Sequence, residues 1–308
     1  MLVHDTKKLC DKAKSVPEYP AVNPSESQVP ILQIEVRIDR ETLLPGRAWC
    51  AEKPRALVAI VHGLGEHSGR YGALASDLVK RRFTVASLDL PGHGEAPGPR
   101  GDGRWETIRD QVIPAMFTLT RGIAGQAEDL PIVLLGHSFG AMLALDYALA
   151  HPKTILGLVL SAPAYKSPPP PGWKIMLAKA ANVVAPGAPF DNGLDEGAIS
   201  RDEEVRKLRA ADPLIHGKIT PRLYFGLEAA RARVLEETRR LAVPTLILQG
   251  AADRVVSPSG ALEINGLAPH GMTRLFTYRD GYHEVFNDIE RAHAIQDLVG
   301  WLDAILVV

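Results

Sequence analysis

The strongest constraint on this chain lies at residues 136–140. Gly136-His137-Ser138-Phe139-Gly140 separates two segments of different kind. Before it, Ile132-Val133-Leu134-Leu135 is an unbroken apolar run opened by Pro131, the pattern of a strand buried on both faces of a parallel sheet. After it, Met142, Leu145, Ala148 and Leu149 recur at helical spacing and Pro152 lies just past the end, so the spacing predicts a helix over 139–151. A serine on a sharp strand-to-helix turn has a strained backbone and an exposed hydroxyl, and the flanking glycines let such a turn close. A Gly-Ser turn without chemistry would use the same residues. The strand-turn-helix setting favours a nucleophile at Ser138.

The same alternation runs along the chain. Residues 1–30 show no periodicity, contain Pro17, Pro20, Pro24 and Pro30, and read as a loosely held extension. Ile34, Val36 and Ile38 alternate with polar residues as in a half-buried strand, and residues 42–51 can pair with it. Apolar strands follow at 56–61, 83–88, 132–135 and 155–160, with helices expected at 69–82 and 105–124, the latter kinked at Pro114. Strand-helix alternation of this kind implies a mostly parallel sheet flanked by helices.

The alternation stops after Ser161-Ala162-Pro163. Pro168, Pro169, Pro170 and Pro171 form a stiff, extended run, and helical patterns follow at 173–184, 203–211 and 224–241. At Val243 the sheet pattern resumes, with strands at 244–248 and 273–278 and helices at 259–267 and 289–305. The expected organisation is an extension (1–30), an α/β core (31–163 and 243–308) and a helical insertion (164–242).

Composition narrows the function. Apolar residues are 46% of the chain, charged residues 23%, and net charge is −1, so no basic field draws it to nucleic acid or an anionic membrane. Cys10 and Cys50 are too few for a disulfide framework and suit a reducing compartment. No apolar run reaches the ~18 residues of a membrane span, and the charged N-terminus has no apolar signal core. A cytoplasmic protein, peripheral to membranes at most, is expected.

A serine hydroxyl needs a base within reach, and the base needs an orienting acid. In an open parallel sheet, groups just past the carboxyl ends of strands converge on one crevice. Ser138, Asp253 and His283 each follow a predicted strand, in the order Ser, Asp, His. His283 is assigned as general base, then acid, and Asp253 as the group that fixes its tautomer. Asp280 competes with Asp253, but three residues before His283 it better suits a strand-end turn. The oxyanion of an acyl-transfer intermediate needs backbone N–H donors, and Phe139 and Leu64 are the candidates. A metal site at His62, Glu66 and His67 lacks a further ligand placed by the sequence. His93, bracketed by glycines, reads as structural.

His62-Gly63-Leu64-Gly65-Glu66-His67-Ser68-Gly69-Arg70-Tyr71 resembles the oxyanion-loop signature of the monoacylglycerol lipase group of α/β-hydrolases, also called serine aminopeptidase-like hydrolases. So do 89–94 with Gly98, Arg100 and Gly101, then 136–140, Asp212-Pro213-Leu214, and His283-Glu284 with Phe286-Asn287. The resemblance runs over about 31–308. It implies an α/β-hydrolase with a helical cap, acting as a serine esterase on monoacylglycerols through an acyl-enzyme on Ser138, with no cofactor and no metal. It also covers lysophospholipases, broad carboxylesterases and small-substrate peptidases or amidases. A non-enzymatic member would be expected to have lost one of the three residues. The extension, the proline run and Pro91 depart from the usual pattern, and the cap is least alike. The expected partner is a small acyl ester. The 173–184 helix, with Lys174 and Lys179 beside its apolar stripe, can pack on the core or touch a bilayer transiently. Packing is the preferred reading.

Overall fold

Strands that are apolar at every position have two faces to bury, and the chain buries both. The structure is a computed structural model that describes residues 29–125 and 130–307. The expected extension therefore falls, apart from Val29 and Pro30, outside the described residues, as does Cys10. β1 (Ile31–Arg37) and β2 (Leu43–Trp49) pair antiparallel. β3 (Ala56–Val61), β4 (Phe83–Leu88), β5 (Ile132–His137) and β6 (Gly157–Ser161) follow. β7 (Phe190–Asp191) and β8 (Lys218–Ile219) make a separate ribbon. β9 (Thr245–Gly250) and β10 (Thr273–Tyr278) return to the main sheet, whose order is β1-β2-β4-β3-β5-β6-β9-β10. From β4 to β10 every pairing is parallel. β4 lies on one side of β3 and β5 on the other, so the connections diverge at β3. Such a divergence opens a crevice at the carboxyl ends of the strands.

The helices lie on both faces. α1 (Gly72–Val79) follows a 3₁₀ turn, Ser68–Tyr71, and ends before the expected 82 because Arg82 takes φ 66°, outside the right-handed helix. The 105–124 helix is interrupted. One turn, Trp105–Thr107, leads into a π-turn, Ile108–Val112, before α2 (Ile113–Ala124). Pro114 stands in the first turn of α2, and the wide turn before it accommodates a ring that has no N–H to donate. α3 (Phe139–Ala150) follows β5. α4 (Gly172–Val184), α5 (Glu203–Ala211) and α6 (Pro221–Glu237) lie between β6 and β9, and α7 (Pro258–Leu267) and α8 (Arg291–Leu306) complete the chain. β3 shows the division of the core: Leu57, Ala59 and Val61 pack with α2, α3 and α6, while Ala56, Val58 and Ile60 pack with α1 and α8.

The insertion is not uniform. α6 is bound to the core, with Leu223, Ala230 and Val234 fully buried. Asp146 of α3 accepts from Arg233 Nη2 of α6 (2.8 Å), Trp105 Nε1 (2.7 Å) and Arg109 Nη1 (3.1 Å). α4 has no buried residue. Its half-buried side, Ile175, Ala178, Ala181 and Asn182, carries mostly small groups. The apolar stripe expected along this helix, Trp173, Met176, Leu177, Ala180 and Val184, points outward instead, with Trp173 65%, Met176 74% and Val184 82% exposed. The helix is apolar nearly all round, and its alanine side permits the closer approach to the protein. Among the described residues no helix is long and apolar enough to cross a membrane.

Candidate active site

Ser138 sits between β5 and α3 with φ 53° and ψ −114°, a conformation that a non-glycine residue holds only where its surroundings enforce it. The Ser138 N–H donates to Ser161 O (2.8 Å), and Ser138 O accepts from the N–H of Ala164 (3.1 Å). Both glycines of the motif are sterically required. A Cβ on Gly136 would lie 2.3 Å from Gly140 O, and one on Gly140 2.2 Å from Val61 O. Strand, turn and helix therefore pack against β3 without room for a methyl group. Ser138 itself is half-buried.

Two further loops reach the same edge. His283 Nδ1–H donates to Asp253 Oδ2 at 2.8 Å, with both side chains buried. Asp253 Oδ1 accepts from the N–H groups of Val255 (2.8 Å) and Val256 (3.0 Å), and Gln249 Nε2 donates to Oδ2 (3.0 Å). Burial pushes the Asp253 carboxyl up, but the charge and hydrogen bond of His283 and these backbone donors outweigh it, leaving the carboxyl lowered. Asp280, the competitor, is exposed. The His283 ring lies 4.9 Å, centroid to centroid, from that of His137, the residue before Ser138. Burial, then the proximity of His283, lowers His137 to about 4.

The 62–71 loop completes the edge. A Cβ on Gly63 would stand 3.5 Å from Ser138 Cβ and 3.3 Å from His137 Cδ2, which places the Gly63-Leu64 peptide beside the serine. The Gly63 N–H donates to Glu66 Oε1 (2.6 Å). The Phe139 N–H opens α3, where the first N–H groups have no intrahelical acceptor.

What the residue spacing does not reveal is how these loops are held. Glu66 Oε1 also accepts from Tyr71 Oη (2.6 Å), and Oε2 from Arg70 Nη1 (2.6 Å). Arg70 grips Glu284 in a fork, Nη1 to Oε1 at 2.6 Å and Nη2 to Oε2 at 2.8 Å. Arg209 Nη1 of α5 stands 3.7 Å from Glu284 Oε1. Burial raises both carboxyls, but Arg70 overrides it, and Glu284 falls to about 2 and Glu66 well below its usual range. Glu284 directly follows His283, so the oxyanion-loop candidate and the histidine loop share one buried guanidinium. The 214 residues between Arg70 and Glu284 hide this pair from any local pattern.

The nitrogens at 62–67 are engaged by protein groups. His62 Nδ1–H donates to Gly63 O (2.8 Å) and Nε2 accepts from the N–H of Leu90 (2.9 Å). His67 Nε2–H donates to Asp212 Oδ2 (2.7 Å) and Nδ1 accepts from the N–H of Gly69 (3.1 Å). His93 packs between the rings of His62 (5.3 Å) and His216 (5.0 Å), donates from Nδ1 to Pro91 O (2.9 Å), and is pushed well down by burial.

A strained serine on a strand-to-helix turn, at the divergence point of a parallel sheet, defines a serine hydrolase with the α/β-hydrolase fold. Residues 52–290 match the family model described as Serine aminopeptidase, S33, and the chain belongs to that family. It is 31% identical to the monoacylglycerol lipase of Mycolicibacterium smegmatis over 81% of this chain and 88% of that one. It is 31% identical to human monoglyceride lipase over 77% and 78%, and 32% to the phospholipase YtpA of Bacillus subtilis over 79% and 93%. Among solved structures, the monoacylglycerol lipase of Paleococcus ferrophilus superimposes with a TM-score of 0.78 at 32% identity, over 85% of this chain and 99% of that one. The family resemblance read from the motifs is therefore borne out, and with it a serine esterase or lipase of this fold.

Proposed function

We propose that the protein hydrolyses monoacylglycerols to glycerol and fatty acid, with Ser138 as nucleophile, His283 as base and acid, and Asp253 as its orienting partner. One observation carries the reading: the 2.8 Å bond from His283 to Asp253 lies at the same sheet edge as the strained serine turn. Ser138 Oγ attacks the ester carbonyl and gives its proton to His283 Nε2. Asp253 keeps the hydrogen on Nδ1 and stabilises the imidazolium. The N–H groups of Leu64 and Phe139 receive the oxyanion, since the Gly63 N–H is already bound to Glu66. Collapse releases glycerol, which takes the proton from His283, and water then cleaves the acyl-enzyme by the same steps reversed. No metal or organic cofactor is called for.

The relatives' names support a monoacylglycerol first and a lysophospholipid second. An aminopeptidase would need a carboxylate free to receive the substrate's ammonium. Glu66 and Glu284 are both committed to Arg70, which favours an ester. The 164–242 stretch acts as a cap, with the outward face of α4 touching a bilayer as substrate is collected, and the protein works in the cytoplasm at membrane surfaces. Replacing Ser138→Ala should lower kcat by a factor on the order of 10⁴ to 10⁶, and residual activity above a tenth of wild type would sink the assignment. A chain-length series of monoacylglycerols and p-nitrophenyl esters, set beside lysophospholipids and aminoacyl-nitroanilides and read as kcat/KM, fixes the substrate class.

A further inference from the structure

The end of α5 and the segment that leaves it make three contacts with the two loops on which catalysis depends. His216 N–H donates to Gly65 O at 2.9 Å. Asp212 Oδ2 accepts from His67 Nε2–H at 2.7 Å, with the two side chains only 9% and 4% exposed. Arg209 faces Glu284 beside His283. The approach at Gly65 is as close as backbones allow: φ is 76°, and a Cβ there would lie 2.1 Å from His216 O. Asp212 is itself held, since its Oδ1 accepts from the N–H of Leu214 (2.8 Å) across the Asp-Pro-Leu turn.

The contact with His67 leads back to the oxyanion donors. With the hydrogen on Nε2 pointed at Asp212, Nδ1 is left as an acceptor and caps the 3₁₀ turn Ser68–Tyr71 through Gly69 N–H. That turn carries Arg70 and Tyr71, which hold Glu66. Glu66 in turn holds the Gly63 N–H and so fixes the plane of the peptides that present Leu64 N–H. A side chain of the inserted segment thus sits at the far end of a path of hydrogen bonds of 2.6 to 3.1 Å, joined through the backbone of the 68–71 turn, that leads to the oxyanion loop.

We propose that Asp212, acting through His67, is a positioning residue for the oxyanion loop, so that the 209–216 segment of the insertion sets the geometry of transition-state stabilisation. The idea rests on the serine-esterase reading above. Loss of a whole oxyanion donor costs about 10²- to 10³-fold in kcat, and a displaced donor should cost about tenfold or more. The effect belongs in kcat rather than KM, because the ground-state carbonyl makes little use of the donors.

Two substitutions at one position separate the links. His67→Asn keeps an acceptor where Nδ1 sits, and asparagine is a good cap, but it cannot reach Asp212. His67→Gln keeps a donor where Nε2 sits. Activity should be measured on a soluble p-nitrophenyl ester and normalised to sites titrated with a fluorophosphonate. His67→Asn and Asp212→Ala should each lower kcat per site by about tenfold or more with KM changed less than threefold. The double variant should be no worse than either alone, and His67→Gln, which keeps the Asp212 contact but loses the cap, should lower kcat as well. Affinity for an alkylboronic acid, whose serine adduct puts an oxygen in the hole, should fall in parallel. Kcat per site within twofold of wild type in both single variants, or additive losses in the double, would overturn the proposal. So would a His67→Gln enzyme with kcat within twofold of wild type, since the relay runs through the cap. A Ser138→Ala protein that remains active, or a wild type that resists the fluorophosphonate, would instead defeat the underlying esterase reading.

Discussion

The edge of the sheet and helix α4 solve opposite problems with opposite materials. At the edge, charged groups are buried and each is matched: Asp253 has four donors, and Glu66 and Glu284 share Arg70. On α4, apolar groups are left in the open, with Trp173, Met176 and Leu177 all exposed and no residue buried. Burying ions costs several kcal/mol each unless geometry compensates, so such a network persists only where position matters. Exposing large apolar side chains does not help to hold the fold, and such patches commonly mark contact with something outside it. On the function proposed above, the contrast separates reaction from delivery: the edge would fix what bond is broken, and α4 would bear on how the substrate arrives.

The comparison breaks first if the edge is not the reaction centre. Asp253→Ala should lower kcat about 10³- to 10⁴-fold, with the fold intact by circular dichroism and the fluorophosphonate rate reduced in step. Arg70→Met tests the buried ions directly. It strips the cation from two buried carboxylates and should cost about 3 to 5 kcal/mol in urea unfolding. A loss below about 1 kcal/mol would mean that the network is ornamental.

Acid should act on the edge and spare α4. His137 and His216 titrate at about 4 in the folded chain against 6.5 ordinarily, burial being the main cause for each. The unfolded chain therefore binds these protons first, so the histidines' contribution is present above pH 6.5 and is lost as pH falls toward 4. Glu284, at about 2 against 4.5, adds a second loss below pH 4.5. Thermal scans from pH 7 to 3 should show Tm falling in both windows. Glu284→Gln should lessen the lower one, since Glu66 and Asp253 are also held low, and His216→Gln should lessen the upper one slightly.

The two regions also differ in how far the sequence discloses them. β3 has the bounds that its apolar run implies, 56–61, because a strand buried on both faces of a sheet is apolar along its length. The turn at Ser138 is legible for a similar local reason, since its glycines answer to clashes within a few residues or with the next strand. The partners of Arg70 and His67 are not, because Glu284 and Asp212 lie 214 and 145 residues away and nothing local pairs them. They surface in the sequence only as pieces of a family resemblance. The outward stripe of α4 escapes for a different reason: the pattern shows an apolar stripe but not whether protein covers it, and here the side with Ala178 and Ala181 took the inner position.

The smallest effect expected is on α4. In a Trp173→Asp, Leu177→Asp variant, little buried contact is lost, since neither side chain is buried in the core. Stability should change by less than about 0.5 kcal/mol, and turnover of a soluble short-chain p-nitrophenyl ester should stay within about twofold. Sedimentation with lipid vesicles should fall, because the inserted apolar face is what gives an interfacial helix its hold and the flanking Lys174 and Lys179 add only attraction to anionic lipid. Monoacylglycerol presented in vesicles should then be hydrolysed more slowly while the same lipid in detergent micelles is not. Equal sedimentation of variant and wild type would remove the delivery role and leave α4 as a wall of the cap whose apolar exposure needs another explanation.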